Sequence, residues 1–277
     1  MNTLRVLIFV FLAISQISPL WAGTQAPLLL PPSFELIRKI EDRIGQWSAL
    51  KANLTLNFLG AREHQASCRG NLVYNRLDEK MMLSCFNQKD ELLFMLRTDD
   101  RVFDLYLPIK QSLYSGSIFD LEDSPEIEAH LKPLDLYRAL KPMGIPSQQT
   151  QLEDRDQSSM TLRILGYKRL TPYLARRLRA STQGDVLQEI YYSVDEEPLV
   201  TIHRRQFEKH RLSDIAVKET IFYPRQVFIE SHATPKSVML QFEDIQFLTL
   251  LENQDWSLTV PHETARVYLG GEMEEAG

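Results

Sequence analysis

Residues 68–86, CRGNLVYNRLDEKMMLSCF, decide the fold. Apolar or small residues alternate with polar ones on both sides of Arg76-Leu77-Asp78-Glu79. The segment therefore reads as two strands around a turn. A register in which paired numbers sum to 153 sets Cys68 against Cys85, Gly70 against Leu83 and Leu72 against Met81. It gathers the apolar side chains on one face and puts both sulfurs on the same side. Cross-strand spacing at such a pair lies within disulfide reach. The chain's two cysteines are then either a disulfide, which an oxidising compartment permits, or two buried thiols. The Arg-Leu centre of the turn is not a favoured two-residue hairpin loop.

The pattern extends outward from this hairpin. Upstream, Ala52, Leu54, Leu56 and Phe58 alternate with Asn53, Thr55 and Asn57, a half-buried strand. Before it, Ser33 reads as an N-cap, and Phe34, Ile37, Ile40 and Ile44 form the apolar stripe of a helix ending near Gly45. Downstream, Leu92, Phe94 and Leu96 run to a turn at Thr98-Asp99-Asp100-Arg101. A sum of 199 then sets Leu96 opposite Phe103 and Phe94 opposite Leu105. Pro108 turns the chain into Gln111–Gly116. Strands joined by such short loops must be antiparallel, so this half is a meander.

Ser124-Pro125-Glu126 is a helix start, and residues 124–143 read as two short helices broken at Pro133. Strands then dominate: about 160–166, 172–180, 185–193, 198–207, 213–222, 225–231, 236–243 and 246–250. The expected fold is α+β: one strongly curved antiparallel sheet, an open half-barrel, with helices covering its concave face.

The ends carry different information. MNTLRVLIFVFLAISQISPLWAG has an early cation, Arg5, an apolar run from Val6 to Ile14 and a small-residue exit at Ala22-Gly23. That is the layout of a secretory leader, with an uncleaved anchor as the alternative. Residues 1–23 are thus expected to be removed on export, 24–269 to form a single domain, and 270–277 (GGEMEEAG) to be a disordered acidic tail. Apolar residues at 44% and charged residues at 25% argue for a globular chain. A formal charge of −6 excludes a general nucleic-acid binder, which needs a basic surface.

The search for chemistry finds no cofactor motif and no metal-ligand spacing. The six histidines (His64, His130, His203, His210, His232 and His262) are scattered. Tyr114-Ser115-Gly116-Ser117 only superficially resembles a nucleophile elbow, and His203 is expected to point to solvent. No catalytic residue is assigned. The basic cluster Lys168-Arg169 with Arg176-Arg177-Arg179 reads as a strand's exposed face, with an anionic headgroup site as the alternative. The apolar residues say more. Leu54, Leu56, Phe58, Leu72, Tyr74, Met81, Leu83, Phe94, Leu96, Phe103 and Leu105 share one expected sheet face that needs a cover. The few helices either complete a dry core there or leave an apolar cavity for a lipid-like ligand.

At these residues the chain resembles the LolA/LolB superfamily of periplasmic lipoprotein carriers. Ser48-Ala49-Leu50-Lys51-Ala52-Asn53-Leu54 is similar to that family's junction of helix and first strand. Gly70-Asn71-Leu72-Val73-Tyr74-Asn75-Arg76 is similar to its G-x-L-x-x-x-R segment, with Leu77 standing where a proline usually follows. The run from Thr98 to Pro108 resembles its aspartate turn and aromatic strand, and Asp255-Trp256-Ser257-Leu258-Thr259-Val260-Pro261 its closing element. The resemblance implies a non-enzymatic carrier of lipid or lipoprotein acyl chains in outer-membrane trafficking. It also implies a hydrogen-bonding role for Arg76 in holding the lid. Inner- and outer-membrane lipoprotein-sorting components are the implied partners. The alternative is an envelope sensor or assembly module that binds a protein partner through the sheet.

Overall fold

The computed structural model describes residues 32–60, 66–99, 101–117, 133–140, 144–213, 220–232, 236–251 and 254–269. The leader, the helix start at Ser124-Pro125-Glu126, His64, His130 and the tail lie outside them. After helix α1 (Pro32–Gly45) come β1 (Ala49–Gly60), β2 (Ala66–Asn75), β3 (Lys80–Phe86), β4 (Leu92–Asp99), β5 (Val102–Leu107) and β6 (Ser112–Ser117). These strands pair in chain order, as the meander requires. Helix α2 (Pro133–Leu140) leads into a second meander: β7 (Thr150–Arg155), β8 (Ser159–Lys168), β9 (Thr171–Ser181), β10 (Val186–Tyr192), β11 (Pro198–Arg211), β12 (Thr220–Ser231) and β13 (Lys236–Leu248).

The two meanders become one curved, unclosed sheet because β13 pairs antiparallel with β1. The fourteen strands run in the order β14-β6-β5-β4-β3-β2-β1-β13-β12-β11-β10-β9-β8-β7. The expected all-antiparallel sheet needs one correction. β14 (Ala265–Leu269) lies parallel to β6, a direction open to it because a long connection rather than a hairpin brings it there. Neither β14 nor β7 was expected as a strand. β14 is only five residues long, and β7 exposes nearly every side chain, so neither shows the alternation that marks a half-buried strand.

Both hairpin registers differ from expectation, each by two residues. In β2–β3 Gly70 faces Cys85 and Leu72 faces Leu83. In β4–β5 Leu96 faces Leu105 and Thr98 faces Phe103. The β2–β3 turn explains the first shift. Asn75 Oδ1 accepts the Leu77 and Asp78 backbone N–H groups at 3.0 and 3.5 Å, and Glu79 takes a left-handed φ of 54°. This stabilises a four-residue loop in place of the unfavourable Arg-Leu pair. At the second turn the Val102 N–H donates to Asp99 Oδ1 at 3.1 Å. A shift of two leaves every side chain on its face. Cys68 and Cys85 are therefore diagonal rather than opposite, and still form a disulfide with Cα atoms 5.8 Å apart.

Two expected breaks are absent. Residues 236–248 form one strand with a bulge at Glu243, which lies between the partners of Asn53 and Leu54. The extra residue switches the inward positions from Val238, Leu240 and Phe242 to Phe247, which mimics a strand boundary in sequence. Pro224 likewise sits inside β12, opposite Phe207, beside Gln206 with its φ of 54°. Past this point β11 and β12 pair only with each other, as a ribbon from Phe207–Arg211 and Thr220–Pro224. The ribbon docks on β13: Leu212 bridges Phe247, and the Ser213 N–H donates to its carbonyl at 2.8 Å.

Helix α1 begins at Pro32, so Ser33 lies in its first turn rather than capping it. It buries Leu36, Ile37 and Ile40, while Phe34, expected inward, is 42% exposed. These residues pack on Met160, Leu162, Ile164, Leu178 and Ala180 of β8 and β9. The β9–β10 turn holds α1 in place: Lys39 Nζ donates to Thr182 O at 2.9 Å and Arg43 Nε to Gln183 O at 3.2 Å. Gly184, at φ +92°, lies so close to the Lys39 backbone that a Cβ would fall 2.9 Å from it. Leu134, Leu136, Tyr137, Ala139 and Leu140 of α2 join the larger cluster with β1–β6 and β10–β13.

The disulfide closes a loop of 17 residues. Replacing both cysteines, C68A/C85A, should lower stability by about 3 kcal/mol in urea unfolding, as should reduction of the wild-type protein. Equal midpoints for oxidised and reduced protein would show that the bridge contributes nothing.

Candidate functional site

Strand alternation explains how charges come to lie in the interior. On β9 the inward positions are Leu174, Arg176, Leu178 and Ala180, so the basic cluster read as one exposed face is divided by the pleat. Arg177 and Arg179 point outward, to Glu153 at 2.7 Å and Asp156 at 3.2 Å, while Lys168 and Arg169 are exposed at a turn. Arg176 is 6% exposed and pairs with Glu189 of β10, itself 2% exposed. Arg204 of β11 reaches the other Glu189 oxygen at 2.5 Å. Three adjacent strands thus supply a diagonal Arg–Glu–Arg triad.

Burial alone would raise the Glu189 carboxyl, but the two guanidiniums outweigh it and hold the group below its ordinary value. Beside it, burial pushes the Tyr191 phenol up to about 12. The triad also grips α2 and the chain beyond it. Arg204 Nη2 donates to Ala139 O at 3.2 Å, and Arg176 Nη1 to Gly144 O at 3.4 Å. Cations fit here because the last carbonyls of a helix lack partners and carry its negative dipole end.

Next to the triad an aromatic group closes the junction of α1 with β1. The Trp47 ring lies 5.3 Å from Phe247, 6.0 Å from Tyr74 and 6.3 Å from Tyr223 of the ribbon. Arg76 secures this elbow: its N–H donates to Ser48 O and its Nε to Trp47 O, both at 2.8 Å. The Arg43 guanidinium lies over the Phe222 ring at 4.5 Å and ties α1 to the ribbon.

Between these elements is a cavity of about 90 Å³, where the two hydrophobic clusters meet. Ile40, Ile44 and Val186 border it from the smaller cluster, and Trp47, Leu140 and Tyr223 from the larger. Arg43, Arg176, Arg204, Asp185 and Glu189 complete the wall. Typical small-molecule sites enclose about 300–1,000 Å³. As it stands the space suits a small polar group or a few waters and is too small for an acyl chain.

The eleven apolar residues expected to contact ligand lie in one cluster. Leu54, Leu56, Leu72, Tyr74, Met81, Leu83, Leu96, Phe103 and Leu105 are at most 5% exposed, and Phe58 and Phe94 pack partly buried against them. None borders the cavity at the helix junction. Sequence reasoning missed the triad, Trp47 and the ribbon. The signal for Arg176 was present, since it interrupts an apolar period-two run. Glu189 had none, because Leu187, Ile190 and the tyrosines blur the alternation around it.

Other candidate groups find structural partners. Ser115 Oγ donates to Asp104 Oδ1 at 2.5 Å, and Asp104 pairs with Arg97. His232 hydrogen-bonds Thr201 at 2.8 Å, and the His210 ring packs 5.5 Å from Phe247. His203, expected in solvent, is half-buried, and burial and Arg205 lower its pKa. Among the described residues no three His, Cys, Asp or Glu side chains group as metal ligands.

Removing one member of the triad strands buried charge. E189Q should cost about 3–5 kcal/mol by denaturant unfolding, while R176M/E189L/R204M should stay nearer wild type. The Glu189 pKa is depressed by folding. Its contribution is therefore present above the ordinary value of 4.5 and lost as pH falls through the folded value. The E189Q variant should lack that part of the acid slope; an unchanged slope would assign it elsewhere.

No protein-family model and no curated protein sequence matches the chain. Solved structures do. A LolA superfamily protein from Nitrosomonas europaea aligns at 11% identity and a TM-score of 0.54, covering 79% of this chain and 94% of its own. A putative outer membrane lipoprotein-sorting protein domain from Vibrio parahaemolyticus aligns at 12% and 0.57, covering 79% and 95%. A DUF1329 family protein from Desulfovibrio piger aligns at 11% and 0.58, covering 80% and 94%. With the curved sheet and the two helices of the described residues, these likenesses give the chain the fold of the LolA superfamily.

Proposed function

We propose that this protein is a non-enzymatic carrier or chaperone that holds the acyl chain of a lipid or lipoprotein in the bacterial periplasm, in outer-membrane lipoprotein or lipid trafficking. The observation that carries the reading is the fold shared with a LolA superfamily protein and a lipoprotein-sorting domain. In this reading α1, α2 and the ribbon cover the concave side of the sheet, and the eleven apolar residues from Leu54 to Leu105 become chain contacts when the cover lifts. Each buried methylene of a chain contributes about 0.8 kcal/mol, so partial enclosure suffices for firm binding in water. Arg76, which holds the Trp47 carbonyl, restrains the elbow about which α1 would swing. Lipoprotein-sorting components of the inner and outer membranes are the partners this role requires.

A second reading, an envelope module that binds protein through the sheet, is favoured by one observation. The apolar sheet residues and those of α2 form one buried cluster, and none of the eleven borders the cavity.

Native mass spectrometry of the protein purified from envelope extracts should show adducts of lipid mass, and N-terminal sequencing should begin near Gly23. The R76L variant should take up a fluorescent fatty-acid analogue faster than wild type. A protein that carries no lipid, takes up no analogue and instead retains a stoichiometric protein partner would overturn the carrier in favour of the module.

A further inference from the structure

We propose that the cavity between α1, α2 and the β11–β12 ribbon is the headgroup site for an amphiphile bearing a single negative charge. Its acid group would be held by Arg176 and Arg204, and its tail would leave the cavity past the half-buried Ile44 and Phe222. The inference rests on the carrier reading and names the class of cargo.

The charge count comes first. Three guanidiniums (Arg43, Arg176 and Arg204) and two carboxylates (Asp185 and Glu189) border the cavity, leaving one positive charge in excess. An unbalanced buried charge costs several kcal/mol, and the carbonyls of Ala139 and Gly144 offset it only with partial charges. One carboxylate or phosphodiester supplies the missing unit. Both guanidiniums are already engaged, Arg176 with Glu189 and Gly144 O and Arg204 with Glu189 and Ala139 O, so an acid group would share their donors. An arginine fork matches the paired oxygens of an acid group. Size agrees as well, since about 90 Å³ takes an acid group but not a hydrocarbon tail. The tail would continue past Ile44 and the Phe222 ring, which already lies beneath Arg43.

The test is calorimetric titration of the whole delipidated protein with four ligands below their micelle thresholds. Oleate and lysophosphatidylglycerol carry one negative charge; monoolein and lysophosphatidylcholine carry none in net. At least one anionic ligand should bind tenfold or more tighter than both neutral ones. Which of the two does so distinguishes a carboxylate from a phosphodiester. R204Q should abolish this preference. Should R204Q fail to fold, R43Q, at a partly exposed cation, should reduce the preference at least threefold. Equal affinity for all four ligands, or a preference that survives these variants, overturns the inference and leaves the carrier reading intact. Uptake of none of the four overturns both.

Discussion

The pairing of β1 with β13 is the contact on which the rest of this structure depends. Each meander is built from short loops and forms by local pairing, but neither can enclose a core alone. Their union requires the first strand to find the last long one, across nearly the whole described chain, at a substantial cost in loop entropy. The apolar faces of both strands repay it: Leu50, Leu54 and Leu56 meet Phe247, Phe242 and Leu240 in one buried layer. The bulge at Glu243 belongs to this bond, because it lets one strand keep its apolar residues inward along its full length.

Three unlike elements pack on the continuous sheet. Helix α1 lies over β8 and β9, α2 joins the central cluster, and the β11–β12 ribbon bends back at Gln206 and Pro224 to dock on β13. None is long, and none is held by apolar contact alone. Arg43 ties α1 to the ribbon, Arg176 and Arg204 hold the end of α2, and Arg76 holds the elbow into β1.

The triad shows why such fastening needs burial. In water an Arg–Glu pair is worth little, and in the interior the same pair is costly unless every charge is answered. Glu189 answers two guanidiniums at once, and the helix-end carbonyls answer part of the remainder. The residual positive charge borders the cavity.

Much of this was legible in the chain itself. Alternation of apolar and polar residues determined which side chains face inward, because the pleat repeats every two residues. For that reason both hairpins could slip by two, and β2–β3 could place Cys68 diagonal to Cys85, without moving one residue to the wrong face. The resemblance in short motifs pointed to the right fold as well. Three things were decided only in three dimensions. The partner of β1 was one, since pairing at long range leaves no local trace. The path of the ribbon was another, since Pro224 and Glu243 look like strand ends until neighbouring strands carry the chain through them. The last was the grouping of Arg176, Glu189 and Arg204. Each is an ordinary charge on its own strand, and they become a site only because antiparallel neighbours bring them to one diagonal with a helix end above it.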